Sequence, residues 1–245
     1  MTNNQSIKKM LVEATKVNGA VSTTELAGIV LTAAKEMKSQ NMGIAVDFGS
    51  HAGRSSMAGV LGLSSHLEVV DFFMVDLLYD LTNPEWENTT QKHTDNIPWG
   101  YAKAKGFIET VYNRVEKYRG NFDIFLMGKS SLQFLRGLKT SNTRYNYVFI
   151  DSDDHQEELV MEEVKELEDK MNQGGLIFFH DFRNQYIGPQ KAYVYLRNTG
   201  KYEEVLIDWE AAKKLAIESG TVEDPNSWHM PGVEFPCFVG CLRRI

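Results

Sequence analysis

The chain has 245 residues, 42% hydrophobic and 24% charged, with Lys+Arg 26 against Asp+Glu 33 and a formal net charge of −7. This length closes a full core in one or two domains, and the composition, with 11% aromatics, excludes disorder, collagen-like repeats and a coiled coil. The acidic balance argues against nucleic acid or anionic membrane as partners, because phosphates are held by Lys and Arg. No apolar run nears the ~18 residues of a bilayer span, and Met1–Met10 carries two lysines without an apolar segment behind them, so no signal peptide is expected. Two cysteines, Cys237 and Cys241, make no disulfide framework and fit a cytoplasmic setting.

In chain order, residues 6–17 and 23–38 read as helices. Ser22 and Glu25 stand at capping-box spacing ahead of the apolar-rich stretch Leu26 to Met37, and Gly43 closes the region. We read residues 1–40 as an N-terminal helical appendage to one domain over 41–245, since no linker, repeat or low-complexity tract divides the rest. From Ile44 onward, short apolar strands are expected at 44–48, 69–75, 122–127, 147–150, 176–179, 202–208 and 237–243. Between them fall helices at 53–63, 101–118, 130–138, 155–172, 189–198 and 209–218, and an irregular polar stretch at 77–100. Strands apolar on both faces belong to an α/β fold, a mostly parallel sheet covered by helices. A ligand of such a sheet lies beyond the carboxyl ends of the strands, where strand order reverses.

The residues at those ends are therefore the candidates. The first strand runs into Gly49-Ser50-His51-Ala52-Gly53-Arg54: Gly49 permits a tight turn and Gly53 a close backbone approach at a helix start, where free N–H groups attract an anion. Ser50-His51 interrupts the G-x-G-x-x-G dinucleotide fingerprint, and by itself the turn is equally a generic strand-to-helix connection. The second strand ends at Asp76, placed either to accept from ribose hydroxyls or to cap the following helix. The third ends in Gly128-Lys129-Ser130-Ser131; Asp123 stands where a P-loop needs its first glycine, which excludes triphosphate hydrolysis. Gly128 and Ser130 would edge an adenine ring, with Ser130 or Ser131 as a helix N-cap. After the fourth strand, Asp153 or Asp154 suits a helix N-terminus, and Asp151, at the strand end itself, is the better site candidate. The fifth ends in His180-Asp181. Burying two titratable groups unpaired is costly; His180 can take a proton near neutral pH, and Asp181 can orient it or join Asp151 on a divalent cation.

Together, Val46–Ser55, Phe149–His155 and Gly174–Asp181 resemble the class I S-adenosylmethionine-dependent methyltransferases, most closely the small-molecule O-methyltransferase-like branch. The resemblance covers about 42–245, including the closing strand Phe238–Arg243. It implies a Rossmann-like, seven-stranded, mostly parallel sheet with helices on both faces and an antiparallel last strand. It implies S-adenosyl-L-methionine as cofactor, with its methionine part over Asp47, Gly49 and Gly53 and the intervening Ser50 and His51, its ribose on Asp76, its adenine near Gly128–Ser130 and its methyl group beside Asp151. Metal-dependent members bind Mg²⁺ or a similar ion through an acid after strand four and an acidic or amide pair after strand five. Asp151 and Asp181 match that pattern, while His180 stands where an acid often sits and Phe182 offers no ligand. His180 is then a base or a less usual ligand, and Asn184 a candidate third oxygen ligand.

The mechanism implied is alignment of a sulfonium methyl with a nucleophile. A hydroxyl acceptor must also lose its proton, to a general base contributing roughly 10²–10⁴-fold or through a metal that lowers its pKa. His180 serves the first route, Asp151 with Asp181 the second. The expectation is a methyltransferase acting on a small-molecule hydroxyl, with a nicotinamide-dependent oxidoreductase and a non-catalytic binding protein of the same fold as competitors. Of the remaining features, 77–100 with Trp86, His93, Trp99 and nearby Tyr101 reads equally as a lid or a packed loop. Ser227–Pro231 would border the acceptor or a subunit contact. Cys237 and Cys241 face the same way on a strand and read as core. The acidic run from Glu157 to Asp169 reads as the solvated face of a helix. The N-terminal helices either cover the cofactor or make a homodimer.

Overall fold

A computed structural model of the chain describes residues 4–16, 21–37, 40–51, 53–64, 67–77, 80, 101–117, 122–138, 142–152, 156–182, 186–221 and 239–245. Trp86, His93, Trp99, the segment Ser227–Pro231, Cys237, Ala52, Asp153, Asp154, His155 and Asn184 lie outside the described residues. Among those described, no helix is long and apolar enough to cross a membrane.

Helices α1 (Asn4–Ala14) and α2 (Thr23–Glu36) lead into β1 (Gln40–Phe48), α3 (Arg54–Leu63), β2 (Leu67–Val75), α4 (Tyr101–Glu116) and β3 (Phe122–Met127). There follow α5 (Ser131–Gly137), β4 (Tyr145–Ile150), α6 (Glu157–Leu167), β5 (Met171–Phe179), α7 (Ile187–Asn198), β6 (Tyr202–Glu204), α8 (Trp209–Glu218) and β7 (Gly240–Arg244). The strands form a seven-stranded sheet in the order β3-β2-β1-β4-β5-β7-β6. The first five pair in parallel, and β7 is antiparallel to both its neighbours. This is the expected mostly parallel α/β sheet with an antiparallel last strand.

Side-chain alternation sorts the core into two layers. On one face Ala45, Val70, Phe72, Tyr147, Phe149, Leu176, Phe178 and Cys241 pack with buried side chains of α1, α2, α3, α4 and α8. On the other, Val46, Phe48, Val75, Val148, Ile150, Ile177, Phe179 and Leu242 meet α5, α6 and α7. All six residues of β4 are buried, but Asn146 interrupts the apolar pattern, so only Tyr147–Ile150 reads as an apolar run. Helices α1 and α2 place Ile7, Met10, Leu11, Leu26, Ile29 and Val30 in the first of these layers, continuous with the sheet. The expected capping box starts α2: the Glu25 N–H donates to the Ser22 hydroxyl, and the Ser22 N–H donates to the Glu25 carboxylate.

Several boundaries differ from the sequence reading; β2 and β4 each start two residues earlier than expected, at Leu67 and Tyr145. β1 starts at Gln40 and runs through Gly43, because its backbone pairs with β2 from Leu67 onward whatever the side chains are. β5 starts at Met171, so the charged helix ends at Leu167 rather than 172; the β4–β5 pairing shifts register between Tyr145 and Tyr147, and this irregularity hides the early half of the strand. β6 is three residues long, and beyond it the Val205 N–H continues towards β7, donating to the Cys241 carbonyl. β7 begins at Gly240, with Cys241 buried in the core.

Candidate active site

One line of paired residues crosses the sheet near its carboxyl edge: Met127, Val75, Phe48, Ile150 and Phe179. The ladder continues one residue past each. Asp76 N–H donates to the Met127 carbonyl (3.1 Å), Gly49 N–H to Val75 (3.0 Å), Asp151 N–H to Phe48 (3.0 Å) and His180 N–H to Ile150 (3.0 Å). Backbone pairing therefore sets Gly128, Asp76, Gly49, Asp151 and His180 side by side along one rim. β1 and β4 are adjacent there, at the point where strand order reverses, so the rim straddles the usual ligand crevice of an open α/β sheet.

The turn after β1 is built on left-handed backbone. Gly49 has φ +77°, and a Cβ on it would lie 2.0 Å from the Asp151 carbonyl oxygen. Glycine is thus required for β1 and β4 to stay paired at the rim. Gly53 has φ +81° and forms the N-cap of α3. Its missing side chain faces Val115 of α4 at 2.9 Å, so helix packing accounts for this glycine as well as any approach of a ligand. His51 is also left-handed, at φ 41°, and its N–H donates to the Asp76 carboxylate at 2.8 Å. Asp76 thereby clamps the loop to the end of β2. Ser50 is buried beside it. The next residue, Arg54, has no role in the sequence reading; its buried guanidinium donates to the carbonyls of Val21 (2.6 Å) and Ala14 (2.9 Å), tying the ends of the N-terminal helices to the loop.

Asp47 is fully buried behind this turn. One carboxylate oxygen accepts the hydroxyls of Ser55 (2.8 Å) and Ser56, and the other has no hydrogen-bond partner among the described residues. Burial drives the Asp47 carboxyl up to about 7. The two serines oppose that rise, and the Asp151 and Asp76 charges add to it.

On the β3 side, Ser130 is the N-cap of α5, with Gln133 completing a capping box. Ser131 turns the other way and donates to Glu163, whose second oxygen accepts the Ser152 hydroxyl at 2.8 Å. Glu163 is fully buried, which corrects the reading of the Glu157–Asp169 run as wholly solvated. Glu157, Glu158 and Glu162 are exposed, but Glu163 lies on the inward stripe with Val160, Val164 and Leu167. That helical spacing was the available signal for a buried carboxylate.

At the β4 and β5 ends, Asp151, His180 and Asp181 converge. His180 Nδ1 lies 3.0 Å from Asp151 Oδ1 and 3.4 Å from Asp181 Oδ2. Asp181 sits at φ 53°, a conformation that side chains rarely adopt and that the surrounding packing must hold. His180 is fully buried, whereas the Asp151 side chain keeps 15% of its exposure and is the member of the cluster that reaches the rim. A fourth group joins from α2: Glu25 Oε2 lies 3.8 Å from His180 Nε2. The capping box accounted for Glu25 fully in sequence, so no local signal revealed this second placement. Burial works against a charged His180 ring, but the Asp151, Asp181 and Glu25 carboxylates around it prevail and hold its pKa well above the ordinary histidine value. One ligand atom each from Asp151, His180 and Asp181 lies within 4.8 Å of the other two, a separation that a single cation can span.

Solved structures share this fold at low identity. CalS11, a TDP-rhamnose 3'-O-methyltransferase of calicheamicin biosynthesis, matches with a TM-score of 0.50 and 13% identity, over 90% of this chain and 79% of its own. A protein from Corynebacterium glutamicum matches at 0.53 and 10%, over 98% and 89%. A methyltransferase homologue from Pyrococcus horikoshii matches at 0.50 and 10%, over 91% and 66%. These are likenesses of fold. No curated protein matches the chain. The methyltransferase-domain family, by contrast, matches residues 46–182, more than half of the sequence, and that span takes in every rim residue from Asp47 to Asp181. With this match on this sheet, the chain belongs to the class I S-adenosylmethionine-dependent methyltransferases.

Proposed function

We propose that the protein transfers the methyl group of S-adenosylmethionine to a hydroxyl oxygen of a small molecule, at the part of the rim formed by Asp151, His180 and Asp181. The observation that carries this reading is the buried Asp151–His180–Asp181 cluster beside the glycine turn at the crossover of the sheet. The residues present fit the cofactor. Asp47 offers a buried carboxylate oxygen without a hydrogen-bond partner among the described residues, and an ammonium such as that of a methionine moiety would satisfy it. Ser50, His51 and Gly53 frame the same turn, Asp76 would accept from ribose hydroxyls, and Gly128 with Ser130 would border adenine. When bound, the cofactor supplies an activated methyl group on a cationic sulfur.

The chain's own part is to orient the acceptor and to take its proton. His180 is fully buried and its Nδ1 faces Asp151, so we assign proton uptake to Asp151 and give His180 and Asp181 the task of holding it. This moves the base from His180, the first expectation, to its more exposed neighbour. A divalent cation also fits Asp151, His180 and Asp181, and it would lower the acceptor's pKa. An imidazole among two carboxylates shifts the expected ion from Mg²⁺ towards Mn²⁺, Fe²⁺ or Zn²⁺.

Titration calorimetry with S-adenosylhomocysteine is the first test: one site is expected, and no heat at millimolar ligand would end the reading. Labelled-methyl transfer onto sugar hydroxyls, phenols, polyketides and peptides then finds the acceptor. The fold likeness to CalS11 puts sugars first. Asp151→Ala should keep S-adenosylhomocysteine binding and lose transfer. The family match sets aside the nicotinamide oxidoreductase; cofactor binding without turnover on any acceptor would instead favour the non-catalytic reading.

A further inference from the structure

We propose that Glu163 is a positioning residue that sets the span of the cofactor pocket, by bridging the loop after β3 to the loop after β4. The inference rests on the cofactor reading given above. Glu163 is fully buried on α6, and its two oxygens serve different loops. Oε1 accepts the hydroxyl of Ser131, next to the Ser130 cap, and Oε2 accepts that of Ser152, next to Asp151, at 2.8 Å. Both serines are themselves buried. β3 and β4 are not neighbours: β2 and β1 stand between them, so no ladder bond joins the two loops. The carboxylate supplies that join, and Asp76 and Gly49 end the two strands it spans. A nucleoside lying from Gly128 to Asp151 would have its length measured by this clasp.

Packing alone does not account for the residue. Its stripe neighbours are Val160, Val164 and Leu167, and an apolar side chain would fill the same place without a buried charge to desolvate. What an apolar residue cannot do is accept two hydroxyls from opposite directions and fix the loops that carry them.

The test separates binding from stability. S-adenosylhomocysteine affinity is measured by calorimetry, and Tm by thermal unfolding, for the wild type, Glu163→Gln, Glu163→Met, Ser131→Ala, Ser152→Ala and the double serine variant. Glu163→Gln keeps an acceptor and should stay within about threefold of the wild type. Glu163→Met leaves two buried hydroxyls without an acceptor and should lower Tm by a few degrees; at a temperature where it is still folded it should bind about tenfold or more weakly, the scale of one hydrogen bond to a charged group. Each serine variant should weaken binding, and the double variant should lose no more than Glu163→Met does, because all three break one clasp. Wild-type-like affinity in Glu163→Met overturns the inference and leaves the cofactor reading intact. If that variant does not fold, undiminished affinity in both serine variants overturns it equally. No binding by the wild type overturns the cofactor reading, and this inference with it.

Discussion

An alanine at position 49 would push a methyl group into the main chain of the neighbouring strand. Its Cβ would stand 2.0 Å from the Asp151 carbonyl oxygen, 2.7 Å from that carbonyl carbon and 3.2 Å from the Ser152 nitrogen. None of these is the end of a flexible side chain, so β1 and β4 must separate at the rim. The left-handed φ of +77° adds its own cost. Gly200 is the natural control: its φ is +71°, but nothing lies within 4 Å of its Cβ position. Gly200→Ala should therefore cost only the left-handed penalty, about 1–2 kcal/mol. Gly49→Ala should cost that plus an overpacking term of about 1–3 kcal/mol. At roughly 2–4 °C per kcal/mol for a chain of this size, the second variant should melt several degrees below the first. Urea unfolding followed by circular dichroism gives the two free energies, and S-adenosylhomocysteine calorimetry should show lost affinity in Gly49→Ala alone. If the two variants lie within about 0.5 kcal/mol of each other, the close approach of β1 to β4 is not what requires glycine there.

Other expectations follow from buried charges. The Asp47 carboxyl stands at about 7 in the folded protein, against an ordinary value of 3.8. The folded state thus holds this proton more tightly, and the group's contribution to stability falls as pH rises from about 4 to about 7, by roughly 4 kcal/mol, and is level above that. Asp47→Asn should remove that slope from urea midpoints measured across the range, and parallel curves for the two proteins would contradict the assignment. Glu25→Gln keeps the capping box, since glutamine serves at the same position; it should leave Tm nearly unchanged while lowering the His180 pKa, read from its ring signals by NMR. An unmoved His180 titration would mean that Glu25 only caps α2. Arg54→Met should leave the Ala14 and Val21 carbonyls short of a charged donor, at a cost of roughly 2–4 kcal/mol. Hydrogen exchange over residues 4–16 should quicken, and unchanged protection there would show that α1 is held by its apolar face alone.

Much of the architecture could be read in one dimension because the forces that build it are local or periodic. β4 is buried at all six positions, and its last four, Tyr147–Ile150, form the apolar run that reveals it. The capping box of α2 lies within four residues, Ser22 to Glu25. Parallel pairing then carries each strand end to the same rim, so the residues that follow the strands, Gly49, Asp76, Asp151 and His180, could be named before their distances were known. The first halves of β1 and β5 escaped that reading, since main-chain pairing holds them rather than a side-chain pattern. Glu25, Arg54 and Glu163 escaped it for a different reason. Each has a sufficient local explanation as a cap, a polar residue after a turn or one acid in a charged run. Only the docking of α2 and α6 onto the sheet brings those side chains against His180, Ser131 and Ser152, and lets the Arg54 guanidinium reach back to the end of α1. The succession of strands and helices was a consequence of patterning; strand order, register and the partners of these three charges depend on how whole elements pack, which no stretch of neighbouring residues encodes.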